Sequence, residues 1–142
     1  AELTGQHSPS RPFIQGIAQA LAVHLARTYR IDAERQRGGL QAYKLHRVFN
    51  AMRAQLAQPF ELARMAALAE LSEFHFSRVF KQSTGLSPSH YFIRMRMEEA
   101  RRLLSETGDP IIQIALAVGY GSPSHFAAVF RRHTGVSPST YR

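Results

Sequence analysis

The chain has 142 residues, of which 44% are hydrophobic and none is cysteine, and 18 Lys and Arg against 10 Asp and Glu give a net charge of +8. This length suits one domain and is too short for most two-domain enzymes, and the absence of cysteine excludes disulfides, thiolate zinc sites and cysteine nucleophiles. The charge favours a polyanionic partner, and no apolar run approaches the roughly 20 residues of a membrane-spanning helix, so we expect no membrane association.

The first predicted element is a helix over residues 10–29, since apolar residues recur there at helical spacing and no sustained alternation typical of strands occurs in the chain. Its stripe consists of Phe13, Ile14, Ile17, Leu21, His24, Leu25 and Thr28. Residues 31–39 are polar and end in two glycines, which predicts a linker. We therefore separate residues 1–39, with one helix, from a domain over residues 40–142, and regard the stripe as a candidate homodimer surface.

Two further helices are predicted outside the repeated units described next. The first covers residues 40–56 and is followed by Pro59; the second is long, covers residues 88–106 and has Pro88 in its first turn, where a missing N–H needs no partner. The inward residues of the first are predicted to be Tyr43, Val48, Phe49, Met52 and Leu56. Those of the second are predicted to be Phe92, Met95, Ala100, Leu103 and Leu104.

An internal repeat organises the second half of the chain. Residues 72–91 match residues 122–141 at an offset of 50, with eleven of the 20 positions identical. In the first copy the identical residues are Ser72, His75, Phe76, Val79, Phe80, Thr84, Gly85, Ser87, Pro88, Ser89 and Tyr91. One supersecondary unit is therefore used twice, as copy one over residues 60–86 and copy two over residues 110–136.

Each copy has the pattern of a helix-turn-helix unit. A short apolar helix comes first, and a turn follows that is one residue longer in copy two. Ser72 or Ser122 is the predicted N-cap of the second helix, and Gly85 or Gly135 ends that helix in a left-handed cap. The inward residues of the short helices are Leu62, Met65, Ala66 and Ala69 in copy one and Ile111, Ile114, Ala115 and Val118 in copy two.

The second helix of each copy has two different sides when residues are placed 100° apart. The apolar back consists of Phe76, Val79 and Phe80 in copy one and of Phe126, Val129 and Phe130 in copy two. The front consists of Phe74, Ser77, Arg78 and Lys81 in copy one and of Ser124, Ala127, Ala128 and Arg131 in copy two. An apolar back and a front with hydrogen-bond donors are what a DNA recognition helix requires.

The two fronts predict specific roles on double-stranded DNA. Arg78 is the strongest candidate for a bidentate contact to guanine, and Phe74 is a candidate for contact with a thymine methyl. The base-reading candidates are Phe74, Ser77, Arg78, Ser124, Ala127 and Ala128. The phosphate-contact candidates are Lys81, His75, His125, Arg131 and Arg132. Sixteen of the 18 basic residues are arginine, whose planar fork suits both kinds of contact.

Several segments together carry a family signature. They are residues 72–81 and 84–88 in copy one, and residues 111–115, 119–120, 124–126, 129–131, 134–138 and 141–142 in copy two. On these segments residues 40–142 resemble the DNA-binding domain of AraC/XylS-type transcriptional regulators. The resemblance implies an all-α domain of about seven helices. Two helix-turn-helix units would be joined by a long linker helix and preceded here by one extra N-terminal helix.

The resemblance also implies a sequence-specific regulator whose two recognition helices enter successive major grooves. Such a regulator is bacterial and cytoplasmic, more often an activator, and has RNA polymerase as a partner, while residues 1–39 would be the remnant of a preceding sensor or linker region. The chain departs from the family pattern at Glu70, where a glycine is usual, and at Ala128, where a polar or basic residue is common. We therefore expect copy one to supply most of the base readout.

An enzyme is not indicated, because the glycine-rich phosphate loop, the His-Glu-x-x-His motif and the Gly-x-Ser-x-Gly motif are all missing. We predict no catalytic residue, no cofactor and no metal site. The alternative that stays open is a helical protein-interaction or dimerisation module with only non-specific DNA affinity. The role of Arg96 also stays open between an ion pair with Glu98 or Glu99 and a contact with DNA.

Overall fold

A computed structural model describes residues 19–24 and 39–142. Residues 19–24 are helical, in agreement with the first predicted helix, and belong to a different compact unit from residues 38–142. The other stripe residues of that helix and the linker predicted over residues 31–39, except for Gly39, lie outside the described residues. These stripe residues are Phe13, Ile14, Ile17, Leu25 and Thr28.

Residues 39–142 form an all-helical domain of seven helices, which confirms the predicted fold class. They are α1 Ala42–Ala54, α2 Leu62–Leu68, α3 Glu73–Thr84, α4 Pro88–Glu106, α5 Ile111–Ala117, α6 Pro123–Thr134 and α7 Pro138–Tyr141. Copy one contributes α2 and α3, copy two contributes α5 and α6, and α4 joins them.

The helices α3 and α6 begin and end by the same local interactions. Ser72 Oγ accepts the backbone N–H of His75 at 3.2 Å, and Ser122 Oγ accepts that of His125 at 3.3 Å. At the other end the glycines that follow the two helices have φ of 82° and 86°, and the N–H of each donates to a carbonyl of the last turn at 2.8 Å. Both predicted caps are confirmed, and they give the two helices equal lengths.

The turn before each of these helices is also built alike. The N–H of Leu71 donates to Ala66 O at 3.0 Å, and the equivalent N–H of Tyr120 donates to Ala115 O at 2.8 Å. This bond closes a Schellman motif, which needs the preceding residue in the left-handed region. Copy two has a glycine there with φ of 88°, whereas copy one has Glu70 with φ of 59°. Copy one therefore adopts the same turn at the cost of a strained non-glycine residue.

Two apolar cores lie one in each half of the domain. The fully buried aromatic residues of the first core are Phe76 and Phe80, and those of the second are Phe126 and Phe130. The ring packing repeats as well: Phe80 meets Tyr91 edge-on at 5.5 Å, and Phe130 meets Tyr141 edge-on at 5.4 Å. The helix α4 contributes Phe92 to the first core and Met97, Ala100 and Leu104 to the second.

Two predictions about inward residues need correction. Tyr43 was expected on the inner side of α1 but is 57% exposed, because it lies about 140° around the helix from the buried Val48. On α4, Met97 is buried although it was not in the predicted stripe. This helix packs on the first core near its start and on the second near its end, so its buried side rotates along its length.

The strain at Glu70 predicts that Glu70→Gly stabilises the domain relative to Glu70→Ala by about 1 kcal/mol, because glycine adopts positive φ without the steric cost. Both variants remove the 3.8 Å ion pair with Lys44, so their difference reports the backbone alone. Urea unfolding of the two variants measures it. Equal stabilities would contradict the strain.

Candidate nucleic-acid interface

The helix α3 presents its predicted front to the outside. Phe74 is 82% exposed although it is a large apolar residue, and Arg78 and Lys81 are exposed on the same side. The back of the helix is held in the first core by Phe76, Val79 and Phe80, which are all buried. The amphipathic pattern therefore fixes the rotation of the helix about its axis, and the front follows from where the back is buried.

The helix α6 is oriented in the same way. Ser124, Ala128 and Arg131 are exposed, while Phe126, Val129 and Phe130 are buried. Ser77 of α3 and Ala127 of α6, which occupy equivalent positions, are only partly exposed. These two lie at the border between front and core. The centre of each front is therefore formed by its exposed residues, which are Phe74, Arg78 and Lys81 in copy one and Ser124, Ala128 and Arg131 in copy two.

The front of copy two is rich in positive charge but poor in donors near the start of its helix. Its last turn carries Arg131, Arg132 and His133, whereas copy one has only Lys81 there. The structure thus brings the phosphate candidates Arg131 and Arg132 together at the C-terminal end of α6 and places His125 at the opposite end, and Ala128 lies where copy one has Arg78.

The cations of the two fronts have no partner within residues 39–142. Ion pairs in this region engage Lys44, Arg94 and Arg102, with Arg102 held by Glu99 at 2.6 Å and by Glu106 at 2.8 Å. No hydrogen bond or ion pair of this region involves the side chains of Arg78 or Arg131. Basic side chains that are exposed and unneutralised are available to an anionic partner.

The two equivalent histidines also lie at the surface. His75 and His125 are exposed third residues of their helices. Among the described residues, His125 has an aromatic neighbour, Tyr120, which it meets edge-on at 5.3 Å, and His75 has none.

Within the described part of the chain no group of three or more His, Cys, Asp or Glu is arranged to hold a metal ion. In that same part no helix is long and apolar enough to cross a membrane.

One exposed residue was not predicted from the sequence, and the role of Arg96, which the sequence left open, follows from its contacts. Gln82 is exposed on α3 at the position equivalent to Arg132, and the repeat alignment would have found it. Arg96 pairs with neither Glu98 nor Glu99. Its Nε donates to Leu56 O at 3.0 Å and its Nη2 to Gln58 O at 2.6 Å, so its donors are engaged inside the protein.

Comparison with known proteins gives consistent matches to regulators of transcription. The family profile described as a helix-turn-helix domain matches residues 65–142. An HTH-type transcriptional regulator of Haemophilus influenzae is 31% identical over 116 residues, which are 80% of this chain and 39% of that protein. The chain therefore spans well under half the length of this relative, and the same holds for the regulatory protein of the MmsAB operon from Pseudomonas aeruginosa, of which it covers 24%.

Solved structures show the same similarity over the domain. A transcriptional regulator with an AraC-type DNA-binding domain from Chromobacterium violaceum superposes with a TM-score of 0.66 at 34% identity, over 70% of this chain and 88% of that one. The DNA-binding domain of AdpA, solved in complex with a target DNA, superposes with a TM-score of 0.63 at 33% identity, over 68% of this chain and 87% of that one.

The opposite exposure of two phenylalanines on α3 gives a direct test of its orientation. We expect Phe74→Ala to change the free energy of unfolding by less than about 0.5 kcal/mol, and Phe76→Ala to lower it by about 3–5 kcal/mol, because only the second leaves a cavity in the core. Urea unfolding of both variants checks this. Similar losses for the two would mean that the helix is rotated differently.

Proposed function

The chain belongs to the AraC/XylS family of DNA-binding transcriptional regulators and carries its C-terminal DNA-binding domain, and from this premise we propose that one molecule reads a specific duplex sequence with both α3 and α6. Each of the two recognition helices would enter one of two successive major grooves, which lie about 34 Å apart on one face of the duplex. Because the two fronts differ, the site would be asymmetric.

The observation that carries this proposal is the paired exposure of Phe74 and Arg78 on a capped helix whose back is buried. These residues lie four positions apart and therefore one above the other on the same side of α3. Arg78 would donate two hydrogen bonds to a guanine edge, and Phe74 would contact a thymine methyl nearby. Ser77, at the border of the front, would add a contact at the groove wall.

We propose that copy two contributes mainly phosphate contacts and few base contacts. Its front has Ala127 and Ala128 where base-reading donors would lie, so Ser124 at the helix start is its main polar candidate. The alanines can accept only apolar contacts such as thymine methyls. Phosphate contacts would come from Lys81 and His75 in copy one and from His125, Arg131 and Arg132 in copy two. Copy two would therefore anchor the protein and copy one would supply most of the sequence preference.

We also propose that the regulator acts as an activator in contact with RNA polymerase in the cytoplasm, as the family resemblance implies. A homodimer through residues 1–39 is supported by Leu21, a member of the predicted apolar stripe, which is 55% exposed within the helical residues 19–24. The same observation favours the alternative function, a protein-interaction module that binds DNA only non-specifically.

Selection of binding sites from a random duplex library separates the two functions. At about 150 mM salt we expect a site with two boxes one helical turn apart, and we expect Arg78→Ala to relax one box only. The matched control is Arg102→Ala, which removes the same charge from an arginine already held by Glu99 and Glu106. Binding that depends on salt but enriches no sequence would favour the interaction module.

The donor-poor front of copy two gives a second prediction. Placing an arginine at the exposed Ala128 should add a preference for guanine at one position of the second box, because the side chain then occupies the place that Arg78 has in copy one. The control is Ala117→Arg, an added arginine at an exposed position of α5. An unchanged base preference in Ala128→Arg would show that this position does not face the bases.

A further inference from the structure

The two copies meet at few places, and α4 is the element that they share. The helix pairs in extensive contact either belong to one copy with its adjoining helix or include α4. The two recognition helices are therefore held relative to each other mainly through this one helix. A single helix between two cores is a joint that can bend or twist unless other contacts fix it.

Arg96, near the middle of α4, makes such contacts with the segment between α1 and α2, which packs against the first core through Leu56. Its guanidinium donates to the carbonyls of Leu56 and Gln58, which lie in the segment between α1 and α2. These carbonyls follow the end of α1 and would otherwise need other donors. The planar fork of arginine can serve both at once, which the point charge of a lysine cannot do equally well.

The same guanidinium also contacts rings from both cores. Its Cζ lies 4.4 Å from the ring centre of Phe92, which is in the first core, and 5.5 Å from that of Tyr120, which is buried in the second. Both distances are within the range of a cation–π interaction. Burial lowers the pKa of Arg96 and raises the pKa of Tyr120, because it disfavours the charged form of each group. The interaction between the two side chains opposes both shifts. Arg96 still stays protonated at neutral pH, because its ordinary pKa is far higher.

The turn of copy two closes tightly on this junction. A Cβ at Gly119 would lie 2.5 Å from Arg96 Nη2 and 2.7 Å from Leu56 O. The turn of copy two thus leaves no room for a side chain beside the carbonyl of Leu56, which lies between α1 and α2 and accepts from Arg96. Three parts of the chain meet here: the segment after α1, the middle of α4 and the turn before α6.

We propose that this junction, with Arg96 as its positioning residue, fixes the angle between α3 and α6 and so sets the number of base pairs between the two boxes. The inference rests on the proposed two-groove reading. Adding one base pair between the boxes moves one of them by about 3.4 Å and turns it by about a tenth of a helical turn. A rigid junction keeps the two recognition helices from adjusting to that displacement, so binding weakens. A loosened junction lets them adjust, so binding is retained.

The chain offers a matched control in Arg142. Its Nη2 donates to Asp109 O at 2.6 Å and to Thr107 O at 3.4 Å, and its Nε to Leu104 O at 3.5 Å. This is the same chemistry, an arginine on carbonyls after a helix end, but all of its partners lie at the end of α4 or just before α5. Replacing Arg142 perturbs copy two and the segment between α4 and α5, but it leaves the contacts of Arg96 in place.

The first experiment uses the whole chain free of DNA. Since the protein has no cysteine, Gln82→Cys and Arg132→Cys allow spin labels at equivalent exposed positions of α3 and α6. We expect a narrow distance distribution in this background, a distribution at least about twofold broader in Arg96→Met, and no change in Arg142→Met. Arg96→Lys serves as a second variant in case the first unfolds, and it should broaden the distribution to a smaller degree. A distribution equally narrow in both Arg96 variants overturns the proposal.

The second experiment measures binding to the selected site with spacers one or two base pairs shorter or longer. We expect the unaltered chain and Arg142→Met to favour one spacing by at least about tenfold, and Arg96→Met to favour it by less than about threefold with both boxes still read. If a folded Arg96 variant favours one spacing as strongly as the unaltered chain, Arg96 does not set the spacing, although two-groove reading still holds. If the unaltered chain itself shows one box or no preferred spacing, two-groove reading fails and the spacing role fails with it.

Discussion

Burial of the apolar back of each recognition helix is the constraint on which the remaining architecture depends. Phe76 and Phe80 in one copy, and Phe126 and Phe130 in the other, are fully enclosed, and each pair fixes the rotation of its helix. The front of the helix is then determined, because side chains 180° from a buried stripe cannot avoid solvent. Caps at both ends set where that front begins and ends. A stable core and an exposed front are therefore two consequences of the same sequence pattern.

Duplication gives the domain two such surfaces, and their chemistry has diverged while their packing has not. The backs, the caps and the edge-on aromatic pairs are the same in both copies. The fronts differ at the position of Arg78, which is Ala128 in copy two. The first set of residues forms the two cores and is held by packing, whereas the second set is exposed and carries no packing constraint. Under the proposed two-groove reading, the difference between the fronts predicts an asymmetric site.

The sequence predicted those features that depend on local periodicity and short-range bonds. The repeat, the serine and glycine caps and the two apolar backs are all confirmed, since each depends on residues within one or two helical turns. It predicted Tyr43 wrongly and missed Met97, because the buried side of α1 and α4 is set by the neighbouring elements. The partners of Arg96 lie 38 and 40 residues away and are backbone carbonyls, which leave no trace in side-chain pattern. For the interface, sequence could indicate which side of each helix is exposed, but the border position of Ser77 and Ala127 required the packed structure.

One molecule is proposed to use both recognition helices on one face of the duplex. Hydroxyl-radical footprinting on a selected duplex tests it most directly, at protein concentrations where one molecule binds one site. If both helices bind, two protected patches are expected on each strand, about one helical turn apart and at the same protein concentration. A single protected patch, or a second one that appears only at higher concentration, would contradict it.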